Sequence, residues 1–301
     1  MMKQRPALAK KGLKTLEKGA YLFPSVVVFL VFMVWPILYN LYLSVLEWNM
    51  VSPNKRFVGL GNYLKIFKDP NFLKAFGNTW LYVLLMMAFC FVLPYLISYI
   101  LGKLITKGEQ LYRAMLFFPS LLSLAVASII FLWLFNSVSG PVAEIYKLFG
   151  HESPKWFTTQ GLVIFTLTVI TAWRSFGYNL IVFLAAIVEV PVELIEAAKL
   201  ENASNWKIFW TIILPLTSST ALYVFIVTFV FGLQHVFTPI HMITKGGPNQ
   251  ASTNLVYVIY QYGFSFFQTG RAAAVAIVSL VIFLFVLWLQ KRLEKRVHYE
   301  N

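Results

Sequence analysis

The 301-residue chain is too apolar for a water-soluble protein, with 59% hydrophobic and 12% charged residues, where a soluble domain carries about 45–50% and about 25%. Its net charge of +13 could indicate nucleic-acid binding, but basic residues concentrate in the two tails, beside apolar segments. Such clusters hold membrane-protein ends in the cytoplasm beside anionic lipid, so we expect a membrane protein and no nucleic-acid partner. The single cysteine, Cys90, excludes an intrachain disulfide and a Cys-based metal site.

About six stretches are apolar enough to cross the hydrocarbon core of a bilayer, which takes roughly 20 mainly apolar residues. They are continuous and do not alternate, which predicts helices and not barrel strands. We therefore expect an all-α polytopic membrane protein in which one transmembrane domain, residues 21–290, lies between basic tails, residues 1–20 and 291–301. The expected spans are 21–46, 79–101, 111–135, 162–188, 216–240 and 272–289.

The lysines and arginines outside these spans predict the orientation. With both tails inside, the inner segments hold about 15 basic residues and the outer segments about 9. Both termini are therefore expected in the cytoplasm. Two segments oppose the trend, since the outer segment 47–78 holds five basic residues and the inner segment 189–215 holds four glutamates.

Residues 189–215 have the pattern of two short helices and not of a flexible link. Pro191 suits the first position of a helix. Asn202 tolerates left-handed backbone geometry, which predicts a turn there. Ser204 is expected to cap the second helix, and Pro215 to end it.

The alanine pair Ala197 and Ala198 gives the first of these helices low relief, so that it could lie deep in a groove of another protein. The pattern alone allows a second interpretation equally well. Trp206, Phe209 and Trp210 could anchor an interfacial helix pair on lipid headgroups.

The run Glu196-Ala-Ala-x-x-Glu201-Asn202-Ala203, followed by Phe209-x-x-Ile212-x-Leu214-Pro215, resembles the cytoplasmic signature loop of permease subunits of ATP-binding-cassette (ABC) importers. The usual motif has Asp and Gly where this chain has Glu201 and Asn202, so the acid is kept and Asn can still make the turn. The similarity covers almost the whole chain and points to the carbohydrate-uptake subgroup, which includes maltose, glycerol-3-phosphate and multiple-sugar permeases. The matching pieces are Trp35-Pro36, Phe57-Val-Gly-Leu-Gly-Asn-Tyr63, Arg113-Ala-Met-Leu-Phe-Phe-Pro119, Trp173-Arg-Ser-Phe-Gly-Tyr-Asn179, Thr244-Lys-Gly-Gly-Pro248 and Ser252-Thr253.

The resemblance implies a translocation-pathway subunit of an ATP-driven, binding-protein-dependent importer in a prokaryotic inner membrane. Its expected partners are a second permease that is a different but related chain, two ABC ATPase subunits, an extracytoplasmic solute-binding protein and membrane lipid. No cofactor is expected on this chain, because ATP and Mg²⁺ would act through the ATPases. The residues expected to couple to an ATPase are Glu196, Ala197, Ala198, Glu201, Asn202 and Ala203.

Polar residues inside the spans are candidates for the solute pathway, since a charge in lipid is costly and faces a cavity or a partner. Arg174 shares one helix face with Thr171 and Tyr178. Gln234 and His235 lie in the outer part of the fifth span. Helix packing is the alternative role for Arg174, and an interhelical hydrogen bond is the alternative for His235.

Other functional classes find less support. The phosphate-binding pattern Gly-x-x-x-x-Gly-Lys-Ser/Thr is absent, no paired catalytic constellation occurs, and four scattered histidines do not predict a metal site, so we expect no enzyme. An ion-driven secondary transporter is the main alternative, but it should carry intramembrane carboxylates and matching halves. Neutral sugars, oligosaccharides and glycerol phosphates all remain possible solutes.

Overall fold

The computed structural model describes residues 21–105 and 108–297, with side chains to residue 292. The tail 1–20 and the last residues of the tail 291–301 lie outside the described residues. The described part of the chain is almost entirely helical. Its elements are α1 (Tyr21–Ser44), β1 (Leu46–Glu47), β2 (Arg56–Phe57), α2 (Gly61–Phe67), α3 (Pro70–Leu104), α4 (Glu109–Leu121), α5 (Leu124–Leu134), α6 (Pro141–Leu148), α7 (Leu162–Val188), α8 (Val192–Leu200), α9 (205–216), α10 (Ser218–Thr244), α11 (Leu255–Tyr260) and α12 (Thr269–Val297).

Five of the helices, α1, α3, α7, α10 and α12, are long and apolar enough to cross a membrane. α3 starts earlier than the predicted span 79–101, because Asp69 caps it by accepting a hydrogen bond from the Asn71 N–H at 2.8 Å. Pro70 fits the first helical position, where no N–H is needed. The six predicted spans are confirmed as apolar helices except the third.

The predicted span 111–135 is apolar but is not one continuous helix, because α4 and α5 meet at 101°. Pro119 lacks an N–H and cannot continue the ladder of a helix. Leu122 then adopts an extended backbone with ψ 147°, and the Ser123 hydroxyl accepts the Val126 N–H, which starts α5 as a new helix. Residues 109–134 therefore form a broken span.

α7 is the central helix of the bundle. More than half of its most apolar window is buried, whereas none of the corresponding window of α1 is. α7 packs against α3, α4, α5 and α10, while α1 contacts mainly α12. At Gly177 the broken span lies directly on α7, since a Cβ there would come within 2.6 Å of the Leu116 carbonyl oxygen.

The two ends of the bundle differ in construction. One end, called the loop end here, carries α8 and α9. The other, called the far end, carries the ribbon β1–β2, α2, α6 and the segment 244–268. Core clusters lie toward both ends, the loop-end cluster being Tyr95, Tyr99, Phe183, Ile187, Val190, Ile195, Ile208, Phe209, Ile213, Ala221 and Val224.

Candidate functional site

α8 lies at the loop end with one face on the bundle. Ile195 is its buried residue and packs into the loop-end cluster, and Ala198, three residues later, is half-buried against the same cluster. Positions three residues apart share a helix face. Only one alanine of the pair therefore faces outward, and Ala198 contributes to the packing of this chain.

The opposite face of α8 is exposed. Glu193, Glu196, Ala197 and Leu200 are all exposed, as is Glu201 just after the helix. Leu200 is 86% exposed, which is unusual for a leucine beside a packed core. This outward stripe, defined by Glu193, Glu196, Ala197, Leu200 and Glu201, combines carboxylates with a small residue and an unburied leucine.

The turn after α8 is a Schellman motif, in which two backbone bonds close the end of a helix. The Ala203 N–H donates to the Ala198 carbonyl at 3.0 Å, and the Asn202 N–H donates to the Lys199 carbonyl at 3.0 Å. Asn202 has φ 57°, the left-handed conformation that the sequence predicted. Ala198 and Ala203 both pack on the loop-end cluster, so that apolar pair closes the motif.

α9 continues from this turn and is fixed to the bundle. Ser204 caps it, since its hydroxyl accepts the Lys207 N–H at 3.2 Å, as predicted. The Tyr99 hydroxyl of α3 donates to the Asn205 carbonyl at 3.0 Å. Pro215 does not end the helix as expected, because the π-helical turn Phe209–Ile213 accommodates it and the break comes at Thr217.

The end of α7 next to α8 is also held in place. The Lys103 ammonium donates to the Val190 carbonyl at 2.8 Å and to the Val188 carbonyl at 3.4 Å. These carbonyls lack partners within the helix, and a cation at a helix C-terminus is favourable. Together with the turn, this contact attaches α8 to the membrane helices.

Arg174 lies beside the broken span. Its Nε donates to the Leu122 carbonyl at 3.3 Å, at the extended residue between α4 and α5. Thr171 and Tyr178 share its face but differ in surroundings: Thr171 is fully buried and bonds to the Leu167 carbonyl, while Tyr178 is 42% exposed. The observed hydrogen bond gives Arg174 a role in helix packing.

Tyr178 instead joins α7 to α10. Its hydroxyl and that of Tyr223 are 3.0 Å apart, with either able to donate. Tyr223 also lines an open cavity of about 560 Å3 between these helices, together with Glu189 and Ser219. Tyr223 therefore stands at the wall of a cleft near the loop end, and Tyr178 is bonded to it.

His235 does not make the predicted interhelical bond. Its ring stacks on Phe231 of its own helix, with centroids 4.1 Å apart, and among the described residues its buried Nδ1 has no hydrogen-bond partner. Phe231 in turn lies 6.5 Å from the Tyr178 ring. Gln234 is exposed. Tyr178, Phe231 and His235 thus form one aromatic group next to the cleft, while Gln234 lies outside it.

A buried polar contact in the middle of the bundle was not predicted. Pro94 has no N–H for the Cys90 carbonyl four residues earlier. Asn179 supplies a donor instead, since its Nδ2 bonds to that carbonyl and to the Thr228 hydroxyl, the latter at 2.8 Å. α3, α7 and α10 are thereby joined at one point. An amide within an apolar span, opposite a proline, is the sequence signal that could have revealed it.

At the far end, the glycine-rich segment that precedes α11 is packed and not loose. Asn78 of α3 donates to the carbonyls of Gln250, Ala251 and Thr253 at 3.0–3.3 Å. The Tyr82 hydroxyl donates to the Ser252 carbonyl at 2.8 Å. The turn at 246–248 thus lies at the edge of a packed segment between α3 and α11.

Comparisons with known proteins agree with this architecture. A relative 31% identical over 278 residues is the sn-glycerol-3-phosphate transport system permease protein UgpA of Rhizobium meliloti, covering 92% of this chain and 94% of that one. The probable ABC transporter permease protein YurN of Bacillus subtilis is 31% identical over 91% of this chain and 94% of its own. A chain of the same fold occurs in the crystal structure of a bacterial alginate ABC transporter in complex with an alginate pentasaccharide-bound periplasmic protein. The two chains are 20% identical and superpose with a TM-score of 0.83, over 97% of this chain and 98% of that chain.

The family model of the binding-protein-dependent transport system inner membrane component matches residues 95–299. This range runs from the second half of α3 to the C-terminal tail and contains α8, the turn at Asn202 and the cleft between α7 and α10. The chain belongs to this family of inner-membrane permease components of binding-protein-dependent transport systems.

Proposed function

We propose that this chain is the translocation-pathway subunit of an ATP-driven importer for a sugar or sugar-like solute, including glycerol phosphates, and that α8 transmits the motion of an ATPase subunit to the membrane helices. The observation that carries the proposal is the outward stripe of α8. It is exposed, low in relief at Ala197, and borne on a helix whose inner face and both ends are fixed to the bundle. Its coupling residues are Glu196, Ala197 and Glu201 on the outer surface, and Ala198, Asn202 and Ala203 through the packing and the turn that hold α8.

The stripe fits a protein groove better than a lipid surface. Three carboxylates, Glu193, Glu196 and Glu201, stand on it, and anionic headgroups would repel them. Leu200 can enter an apolar pocket of a partner, and a small side chain at 197 permits close approach. Trp206 and Trp210 of α9 are the exposed aromatic side chains suited to the membrane interface.

The solute pathway in this proposal follows the cleft between α7 and α10, which Tyr223 lines and Tyr178 reaches through its bond to Tyr223. Arg174, Gln234 and His235 lie farther along the same two helices, toward the far end. The partners are a second, related permease that closes the other side of the cleft, two ATPases that supply ATP and Mg²⁺ chemistry, and an extracytoplasmic solute-binding protein. Both termini and α8 lie in the cytoplasm. The names of the relatives support a phosphorylated glycerol or a saccharide as solute.

Reconstitution of the complex in liposomes tests this function. Uptake should require ATP inside and the solute-binding protein outside. Ala197→Asp should abolish uptake while the permease still inserts, because residue 197 is exposed and makes no contribution to the core, and a charge in a protein groove is costly. Ala197→Ser is the matched control and should transport normally. Wild-type uptake by Ala197→Asp would remove α8 from the coupling path, and ATP-independent uptake driven by an ion gradient would contradict the whole proposal.

A further inference from the structure

The far end contains a cavity of about 320 Å3 where the loop after α1 meets the start of α12. Binding sites for small molecules occupy about 300–1,000 Å3, so the space is large enough for a ligand. Among the described residues it shares no lining residue with the cleft between α7 and α10. We call it the Asn62 cavity, after the buried residue in its wall.

Buried contacts fix the wall of the Asn62 cavity. Asn62 is 2% exposed, and its Nδ2 donates to the Ser44 and Leu46 carbonyls at 2.9 and 2.8 Å. Gly270 lies directly against the Leu46 carbonyl, since a Cβ at position 270 would overlap that oxygen. These contacts hold the end of α1, β1, α2 and the start of α12 together, so the cavity is preformed.

Three amide side chains, Asn49, Asn54 and Gln268, line the cavity with hydrogen-bonding groups to spare. Asn49 Oδ1 accepts two backbone N–H groups, and Gln268 Oε1 accepts from Arg271 Nη1 at 2.9 Å, which leaves both NH2 groups without a partner among the described residues. The Asn54 side chain is exposed, and within that part of the chain only its backbone N–H is bonded. Amides donate and accept, so this lining suits a ligand whose groups also do both, as hydroxyl groups do.

The cavity lining carries one charge of each sign, on Glu47 and Arg271. One carboxylate oxygen of Glu47 accepts from the Lys65 ammonium at 2.9 Å, and the other oxygen remains an acceptor. The guanidinium of Arg271 uses only Nη1, toward Gln268, and its other N–H groups remain donors. An anion in the cavity would meet Glu47 and a cation would meet Arg271, so a neutral polar ligand is favoured over either.

Phe267 supplies an apolar ring at the edge of the cavity. Its side chain is 54% exposed, and its φ of 53° is a left-handed value that is costly for a phenylalanine. The bonds that follow it hold this conformation, since the Gln268 N–H donates to the Tyr262 carbonyl at 2.7 Å and the Thr269 N–H to the Trp48 carbonyl at 3.0 Å. Strained residues held in this way cluster at ligand clamps. An exposed aromatic ring beside hydrogen-bonding groups can pack against the C–H face of a sugar ring.

We propose that the Asn62 cavity binds one ring of a neutral saccharide. The C–H face of the sugar lies on Phe267, and its hydroxyl groups bond to the three amides, Glu47 and Arg271. The inference rests on the proposed function, which makes a sugar the solute and places the far end outside the cell. The subunit then holds saccharide at its outer surface, at a site separate from the solute pathway and independent of the ATPases.

The test measures saccharide binding and not transport. The assembled complex in nanodiscs, without ATP and without the solute-binding protein, is titrated with glucose, maltose or sucrose, and binding is followed by saturation-transfer NMR of the sugar, with empty nanodiscs as the baseline. Wild type should bind at least one of these sugars. Phe267→Gly removes the ring and relieves the left-handed strain, and it should raise the Kd ~10-fold or more. Phe267→Tyr keeps the ring and should change the Kd less than ~2-fold.

Asn54→Ala is the second test variant, because its side chain makes no hydrogen bond within the described residues and its loss leaves the wall intact. It should raise the Kd ~3-fold or more, the effect of one lost hydrogen bond. Gln160→Ala is the matched control, since it removes an exposed amide on a far-end segment that does not line the cavity. The Kd of Gln160→Ala should equal that of wild type. Asn54→Ala decides the matter if Phe267→Gly does not assemble.

Three results would overturn the inference. One is that none of the three sugars binds wild type, and the uptake experiment in liposomes then still decides the proposed function. Another is that Tyr223→Ala abolishes binding while Phe267→Gly and Asn54→Ala do not, which would place the sugar in the cleft and leave the proposed function standing. The third is tighter binding of glycerol-3-phosphate than of every sugar, lost in Arg271→Gln, which would make the cavity an anion site.

Discussion

Arg174 and Leu122 are joined by a hydrogen bond across two helices, from the guanidinium Nε to a carbonyl oxygen 3.3 Å away. Leu122 stands at the break between α4 and α5, where the 101° bend leaves its carbonyl outside any helix. A membrane interior offers no water to such a group. Arg174 therefore satisfies the carbonyl that the bend exposes, and that carbonyl in turn supplies an acceptor for the guanidinium inside the membrane.

We accordingly predict that Arg174→Ala destabilises the assembled complex by about 1–3 kcal/mol, the usual cost of losing a hydrogen bond to a charged group. Thermal unfolding of the complex in detergent measures this loss. Uptake should fall in proportion to the folded complex that remains, with unchanged preference among solutes. An altered solute preference at full stability would instead place Arg174 in contact with solute.

Asn179→Leu should destabilise the bundle by about 1–3 kcal/mol, because the Cys90 carbonyl loses the donor that Pro94 cannot replace. Thr228→Val removes one acceptor of the Asn179 amide and a longer contact with the carbonyl, at 3.4 Å, but leaves the Asn179 donor on that carbonyl, so its loss should be smaller. The midpoint of thermal unfolding in detergent distinguishes the two. Equal stability of Asn179→Leu and wild type would show that the carbonyl is satisfied within its own helix.

The far end should loosen at alkaline pH. Burial and the hydrogen bond to Asp69 raise the pKa of Tyr262 above its ordinary value. A group with a raised pKa in the folded state contributes stability that is fully present below its unfolded pKa and is lost as pH rises through the folded value. As pH rises above about 10, the ordinary pKa of tyrosine, the unfolding temperature of wild type should therefore fall more steeply than that of Tyr262→Phe. Parallel curves would mean that ionisation of Tyr262 does not contribute.

Cysteine labelling tests the orientation. A cysteine at Asn54 should react with a membrane-impermeant reagent from outside the cell, and one at Lys199 of α8 should not, since both sites are exposed but lie at opposite ends of the bundle. Native Cys90 is fully buried and provides a silent background. Labelling at 199 and not at 54 in intact cells would invert the topology.

Some local features of this chain could be predicted from its sequence, and others could not. The left-handed turn at Asn202 and the cap at Ser204 were predictable because each depends on one residue type in a short-range pattern. Ala197 faces outward and Ala198 faces inward because of how α8 packs on Tyr99 and its neighbours. That packing involves residues distant in sequence, so the local sequence does not predict it. The same is true of Asn179, whose partner is a carbonyl on another helix.

The break at Leu122 lies between these cases. By hydropathy, residues 111–135 are one unbroken apolar run. A hydropathy scale measures the free energy of transfer to lipid and contains no information on backbone geometry. Pro119 and Ser123 carry the local signal for an interruption. The amount of bending is decided by α7, where Gly177 admits the Leu116 backbone and Arg174 meets Leu122.

The most direct test of the central claim is site-specific cross-linking from α8. A photoreactive residue at position 197 of the assembled complex should form an adduct with the ATPase subunit, identified by mass spectrometry, because the proposed function places the exposed face of α8 in a groove of that subunit. The same photoreactive residue placed at position 155, at the far end, should form no adduct with the ATPase. Adducts from position 197 only with lipid, in a complex that still contains the ATPase, would contradict the account and make α8 an interfacial helix.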